Sequence, residues 1–289
     1  MHAALGGAFS ADRKKAIVLA SFGTAFKESR KKNIDSFEVL VKDAFPDYIV
    51  RLAFTSRFII RKLTGQGIYV DSLEMVLADL TAKGYQDIII QSLHLTAGEE
   101  YENKVLRIAE QYRDAFCTLR VGRPAMMGNG EVDSHQESTD FIRIKEALQQ
   151  QMPVLEFGQH IVLMGHGSPH RHNPAYEKLQ AVFDRAGLPV TIGVLEENDS
   201  PNIEAVLRRL KGNKNVSAVI LMPLLLNAGD HVLNDMAGTK PASWKSQLLQ
   251  AGYQVTAYMH GLGENLAVQR IYLQHIQDAI EGKNSLTIK

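Results

Sequence analysis

The chain of 289 residues holds a single cysteine, Cys117. One thiol excludes an intrachain disulfide, a CxxC redox pair and a cysteine-rich zinc site. With no histidine beside it in sequence, Cys117 reads as a small packed side chain rather than a nucleophile. An excess of charge is also lacking, since 32 Lys and Arg face 32 Asp and Glu for a net charge of zero. That balance leaves no electrostatic footprint for nucleic acid or an anionic membrane. No apolar run is long enough to span a bilayer. Phosphate-cradling glycine signatures are missing, both GxGxxG and the Walker loop, and so is the Gly-x-Ser-x-Gly elbow of serine hydrolases. Residues 1–13 lack a basic n-region and a full apolar h-region, although Ala8-Phe9-Ser10 before Ala11 resembles a small-residue cleavage site. The expected compartment is the cytoplasm, with the periplasm as the alternative if this flexible lead is the remnant of an export signal.

What the chain does have is the 45% hydrophobic, 22% charged composition of an ordinary globular protein and a strand–helix alternation run through twice. In the first half, strands are predicted over 15–20, 48–54, 88–94 and 118–121. Helices are predicted over 28–45 (Ile34, Phe37, Val41 and Phe45 at helical spacing), from Arg57, over 71–83, and on to Phe116. A loop at Asn129-Gly130 and a helix over 137–151 lead to the second half. There, strands are predicted over 159–164, 190–196, 218–226 and 254–259, with helices over 174–186, 202–210 and 243–250. A short segment spans 232–236, and a closing helix at 265–281 precedes a fraying tail. The predicted fold class is α/β: two similar lobes, each a parallel sheet flanked by helices, related by a pseudo-two-fold with a cleft between. The expected division is a lead (1–13), an N-terminal lobe (14–150) and a C-terminal lobe (151–289) carrying a metal site.

Paired strand-end strings support a duplication. Ser21-Phe22-Gly23-Thr24 matches Gly165-His166-Gly167-Ser168 in type, and Ala97-Gly98-Glu99-Glu100 matches Ala228-Gly229-Asp230-His231, so that Glu100 stands where His231 does. His166 and His231 therefore end neighbouring strands of one lobe, at the sheet edge where open α/β folds bind ligands. Glu196 ends the strand between them in sequence, with Glu197 as its competitor because strand alternation turns only one of the two inward. Two imidazoles and a carboxylate suit a borderline divalent ion such as Co²⁺, Ni²⁺, Fe²⁺ or Zn²⁺. His170 and His172 read as an exposed loop, and His94 as a structural histidine or a cleft-lining one. His2, His135, His160, His260 and His275 carry no pattern.

Several strings together resemble a known family. They are Ala20-Ser21-Phe22-Gly23-Thr24, Ala53-Phe54-Thr55-Ser56 with Ile59-Ile60-Arg61-Lys62-Leu63, Gln91-Ser92-Leu93-His94, and Gly98-Glu99-Glu100-Tyr101-Glu102. With them go Met164-Gly165-His166-Gly167, Ala228-Gly229-Asp230-His231 with Asn234-Asp235-Met236-Ala237, and Ser243-Trp244-Lys245. The chain is similar over about 14–281 to the anaerobic sirohydrochlorin cobaltochelatases, class II chelatases that resemble ferrochelatase in fold. The resemblance implies a tetrapyrrole held in the cleft and metal ligation by His166, Glu196 and His231. It also implies insertion of Co²⁺ with release of two protons, in anaerobic cobalamin biosynthesis. Co²⁺ is then the substrate metal, with Fe²⁺ or Ni²⁺ as alternatives, and no organic cofactor is expected. A non-catalytic tetrapyrrole or metal carrier is the reading from another class. His166 is expected to act as base and ligand. Glu100 is expected to take protons or steady the ring, against helix N-terminal stabilisation. Arg57, Arg61 and Lys62, with backbone N–H groups after Phe22-Gly23-Thr24, are expected to meet the substrate carboxylates. Phe22 and Tyr101 are expected against the ring face, and His94 along the cleft. The expected partner is the tetrapyrrole alone, with no nucleic acid and no membrane, and a homo-oligomer is compatible with the sequence.

Overall fold

The computed structural model describes residues 13–128, 138–283 and 285–287. The chain divides into two compact units, each interrupted in sequence. Unit one takes the described parts of Met1–Ala25, Ile34–Pro124 and Arg270–Lys289; unit two takes Phe26–Asn33 and the described part of Ala125–Gln269.

Unit one is built on the strands β1 (Lys15–Ser21), β2 (Ile49–Phe54), β3 (Asp87–Ser92) and β4 (Thr118–Gly122). They pair in parallel in the order β2-β1-β3-β4. β3 is buried along its whole length and β1 from its second residue on, as expected of parallel strands covered on both faces. One face packs Val18, Ala20, Ile88 and Ile90 against Leu73, Leu77, Val105 and Tyr101. Ser56 and Ser72 cap the helices Arg57–Thr64 and Leu73–Ala82 by accepting from the N–H groups of Ile59 and Met75, each satisfying an orphan donor of a first turn.

Unit two repeats the plan with β5 (Gln159–Gly165), β6 (Val190–Val194), β7 (Ala218–Pro223) and β8 (Gln254–Ala257), all parallel in the order β6-β5-β7-β8. Its core sets Val162, Met164 and Leu221 against Val206, Val232, Met236, Trp244 and Leu248. In both units the first strand of the set lies between the second and the third. The duplication predicted from the strand-end strings is thus present as a repeated strand order.

Three expectations are corrected. The lobe boundary at 150/151 is replaced by the interrupted division. The helix Thr139–Gln151 goes with unit two, where Asn265 Nδ2 donates to the Ala147 carbonyl (2.8 Å) and to Gln151 Oε1 (3.1 Å). Most of the closing helix Leu266–Glu281 goes with unit one, where the Tyr272 hydroxyl donates to the Leu93 and His94 carbonyls and Arg123 pairs with Asp278 at 2.6 Å. The tail does not simply fray: Leu286–Thr287 forms β9, antiparallel to β4 at Arg120 and Val121. Finally, the helices predicted over 28–45 and on to Phe116 are each broken by a wider, π-type turn, at Lys31–Asp35 and Glu102–Leu106. The Asn129-Gly130 loop and residues 1–12 of the expected lead lie outside the described residues.

Candidate metal centre

β5 carries its last buried side chain, Met164, to a glycine because nothing larger fits: a Cβ on Gly165 would stand 2.3 Å from the Tyr176 ring. His166 follows, and Gly167 then turns with φ +83°, a left-handed conformation that favours glycine. A side chain there would also meet Val194 at 2.9 Å and Glu196 at 3.2 Å. The Tyr176 hydroxyl accepts from the Gly167 N–H at 3.2 Å. Beyond the end of β6 the pairing with β5 continues: Leu195 N–H donates to the Gly165 carbonyl and Glu196 N–H to the His166 carbonyl, both at 3.0 Å. That continuation sets Glu196 beside His166, with Oε1 3.7 Å from Nδ1. The separation is too long for a hydrogen bond. His166 Nδ1 also stands 3.3 Å from the Gly167 carbonyl, which can only accept, so Nδ1 carries the hydrogen and the Nε2 lone pair is the one left free. Glu197 is exposed, and the carboxylate the structure pairs with His166 is that of Glu196.

His231 opens the π-type turn His231–Met236 after β7, a widening frequently found at functional sites. Its ring stands 4.9 Å from that of His166, edge to face at 83°. Its Nδ1–H donates to Asp235 Oδ2 at 2.7 Å, which fixes the tautomer and leaves the Nε2 lone pair available. Burial, and after it the neighbouring His231, holds His166 below the usual histidine pKa. The His166 ring is therefore neutral and able to bind metal or accept a proton. Among the described residues no group of three or more His, Cys, Asp or Glu side chains already surrounds one metal position. The structure brings together the two histidines, with Glu196 alongside the first. His172 lies elsewhere: its Nδ1–H donates to Asp199 Oδ1 at 2.7 Å, and this bond raises its pKa. His170 is exposed.

The remaining expected site residues belong to unit one. Phe22 follows β1 as His166 follows β5, and is 40% exposed. Gly23, with φ +90°, turns where Gly167 does, and a Cβ there would stand 2.4 Å from the Phe54 ring. Thr24 is buried. Arg57 and Arg61 are exposed on the helix that Ser56 caps, with Arg57 3.6 Å from Glu74. Glu100 is exposed in the first turn of a helix. Partial desolvation, with Glu99 adding to it and Lys104 opposing it, holds its carboxyl above the usual range.

One expectation fails on burial, and of the two readings of His94 the bonding favours the structural one. Tyr101 is 1% exposed and packs in the core beside Ile88 and Val105, so it has no ring face to lay against a ligand. His94 is engaged on both ring nitrogens, with Ser92 Oγ at 2.9 Å and Thr55 Oγ1 at 3.4 Å, and burial lowers its pKa to about 4. With both ring nitrogens engaged it fits the structural reading of the two expected for it. A cavity of roughly 430 Å³ lined by His160, Pro189 and Arg209 lies at the opposite end of β5 from His166. Sequence reasoning missed Asp199, Asp235 and Tyr176 as supports of this site. The first sits in an Asp-Ser-Pro turn signature and the second four residues after His231.

Comparison with known proteins gives one consistent result. Residues 15–281 match the model of the cobalt chelatase (CbiK) family. The sirohydrochlorin cobaltochelatase of Salmonella typhimurium is 38% identical over 268 residues, spanning 92% of this chain and 97% of that protein. The sirohydrochlorin cobaltochelatase CbiKC of Nitratidesulfovibrio vulgaris is 32% identical over 269 residues, spanning 92% and 91%. Among solved structures, SirB from Bacillus subtilis with Fe³⁺ shares the fold at a TM-score of 0.59 and 17% identity, covering 93% of this chain and 98% of that one.

Proposed function

This chain belongs to the cobalt chelatase (CbiK) family, and we propose that it presents the metal to its substrate from His166 and His231, with Glu196 as the carboxylate of the set. The enzyme is a metal chelatase, a sirohydrochlorin cobaltochelatase: Co²⁺ enters the tetrapyrrole and two pyrrole protons leave. The observation that carries the residue assignment is the facing of the two imidazoles at 4.9 Å. His231 is locked by Asp235 with Nε2 free, and His166 is kept neutral by burial.

The chemistry demands a particular kind of site. A substrate metal has to be captured, stripped of water and then released to four ring nitrogens, so an open, incomplete ligand set serves better than a closed structural cage. Imidazole binds Co²⁺, Fe²⁺ and Ni²⁺ with intermediate, exchangeable affinity, and the same set is proposed to accept Fe²⁺ or Ni²⁺. A neutral His166 accepts a pyrrole proton. Glu100, whose carboxyl is held above the usual range, is assigned the second proton. Arg57 and Arg61, exposed on one capped helix, are assigned to the substrate carboxylates together with the backbone N–H groups after Phe22-Gly23-Thr24, and Phe22 to the ring face.

The test is a timed absorbance change on mixing sirohydrochlorin, Co²⁺ and the protein, with Fe²⁺ and Ni²⁺ in parallel. The expected result is metallation faster than the protein-free rate. Binding of both macrocycle and metal with no acceleration would make the chain a carrier.

A further inference from the structure

Asp199 is the one acidic side chain of the Leu195–Ser200 turn that is wholly buried. A buried carboxylate is unstable unless donors surround it, and this one has four. Oδ2 accepts from the Ser168 N–H at 2.9 Å. Oδ1 accepts from the Ser200 N–H at 2.8 Å, from His172 Nδ1–H at 2.7 Å and from the Asn173 N–H at 3.4 Å. Three of these donors, Ser168, His172 and Asn173, lie in the segment that follows His166, and the fourth, Ser200, lies in the turn that follows Glu196. Asp199 N–H in turn donates to the Glu196 carbonyl at 3.1 Å. The carboxylate is thus the knot between the two segments that carry His166 and Glu196. It also closes on Gly167, where a Cβ would stand 3.2 Å from Oδ2.

We propose that Asp199 is a positioning residue for the metal set, holding the His166 loop and the Glu196 turn at the spacing from which both reach one Co²⁺ ion. The inference rests on the assignment of His166 and Glu196 to the metal. Asp199 itself touches neither metal nor macrocycle, and acts by fixing where the ligands stand, as partners behind metal ligands do. Asparagine at 199 keeps the size but replaces one acceptor oxygen with an amide donor. The donors on Oδ1 and Oδ2 then cannot all be satisfied, and the two segments lose their fixed spacing.

The experiment uses the full chain with Asp199→Asn, Gln180→Ala and His166→Ala. Gln180 lies in the same unit, buried and bonded to the Val190 carbonyl and the Ile192 N–H, so its loss reports destabilisation alone. The expected result for Asp199→Asn is a KM for Co²⁺ raised about 10–100-fold. Its KM for sirohydrochlorin stays within about twofold, and the visible absorption of bound Co²⁺ changes. Gln180→Ala is expected to lower Tm and leave both KM values unchanged. A normal Co²⁺ KM and spectrum in Asp199→Asn, with Tm lowered as in Gln180→Ala, overturns the proposal. Should Asp199→Asn not fold, His172→Ala removes one of the four donors from the surface side. A Co²⁺ KM raised about threefold supports the proposal, and an unchanged one overturns it. His166→Ala separates the two failures. Normal Co²⁺ capture in that variant sinks the ligand assignment itself, whereas its loss beside a normal Asp199→Asn sinks only the role of Asp199.

Discussion

At the scale of single residues, burial gives several histidines of this chain quite different work. His166 is half-buried and kept below the usual histidine pKa by burial, the state that the proposed role as metal ligand and base requires. His94 and His160 are neutral for the same physical reason and are structural: both have pKa values lowered to about 4 by burial, and His160 lies against Thr191 at 2.9 Å. The sign of their effect on stability follows from proton binding. Between the unfolded value of about 6.5 and about 4, the unfolded chain binds protons that the folded chain does not. Their contribution is therefore complete above the upper value and is lost as pH falls toward the lower. Denaturant unfolding across that window should show stability falling with pH, and His160→Gln should flatten part of the slope. An identical slope in the variant would remove His160 as a cause. Sequence gave no hint of this: His160, His260 and His275 showed no pattern. Their partners Thr191, Glu264 and the Arg123 carbonyl are set by the fold, and two of the three are far away in the chain.

At the scale of elements, the same device appears in each unit. A buried parallel strand ends in an exposed or half-exposed ring followed by a left-handed glycine: Phe22-Gly23 after β1 and His166-Gly167 after β5. A second strand leads through Gly98 or Gly229 to a π-type turn, and the residue after Glu100 or His231, Tyr101 or Val232, is buried in the core. The strands, the paired strings and the juxtaposition of His166 with His231 are legible because apolar runs and glycine positions are local signals. The π-type turns are not, because apolar spacing hardly distinguishes a widened turn from an ordinary helix. Tyr101 differs from its expected place because its ring packs into the core beside Ile88 and Val105, a tertiary contact that local pattern does not carry. The turn at His231 puts Asp235 where it orients the imidazole. Asp235→Asn should therefore weaken Co²⁺ capture by about 10–100-fold while leaving macrocycle affinity unchanged, read as the Co²⁺ dependence of the initial rate. An unchanged dependence would show that His231 is oriented by something else.

At the scale of the whole molecule, the chain does not divide at its midpoint. Strand–helix alternation implied two consecutive lobes, because local pattern says nothing about which sheet a terminal helix joins. The closing helix joins unit one through Tyr272, His275 and the buried Arg123–Asp278 pair. A fragment ending at residue 150 should therefore fail to fold as a unit, seen as poorly dispersed amide NMR signals, while a well-folded fragment would contradict the interleaved division. In the intact chain Asp278→Ala removes the buried 2.6 Å ion pair with Arg123 and should lower stability, measured by denaturant unfolding. The central claim is the assignment of His166 to the chemistry and not to holding the macrocycle. Its most direct test is the rate of cobalt insertion by His166→Ala across a range of Co²⁺ concentrations, with sirohydrochlorin affinity measured separately by fluorescence quenching. The account predicts a rate lowered by at least about 10²-fold that added Co²⁺ does not restore, with macrocycle affinity unchanged. Near-normal turnover in that variant would contradict it.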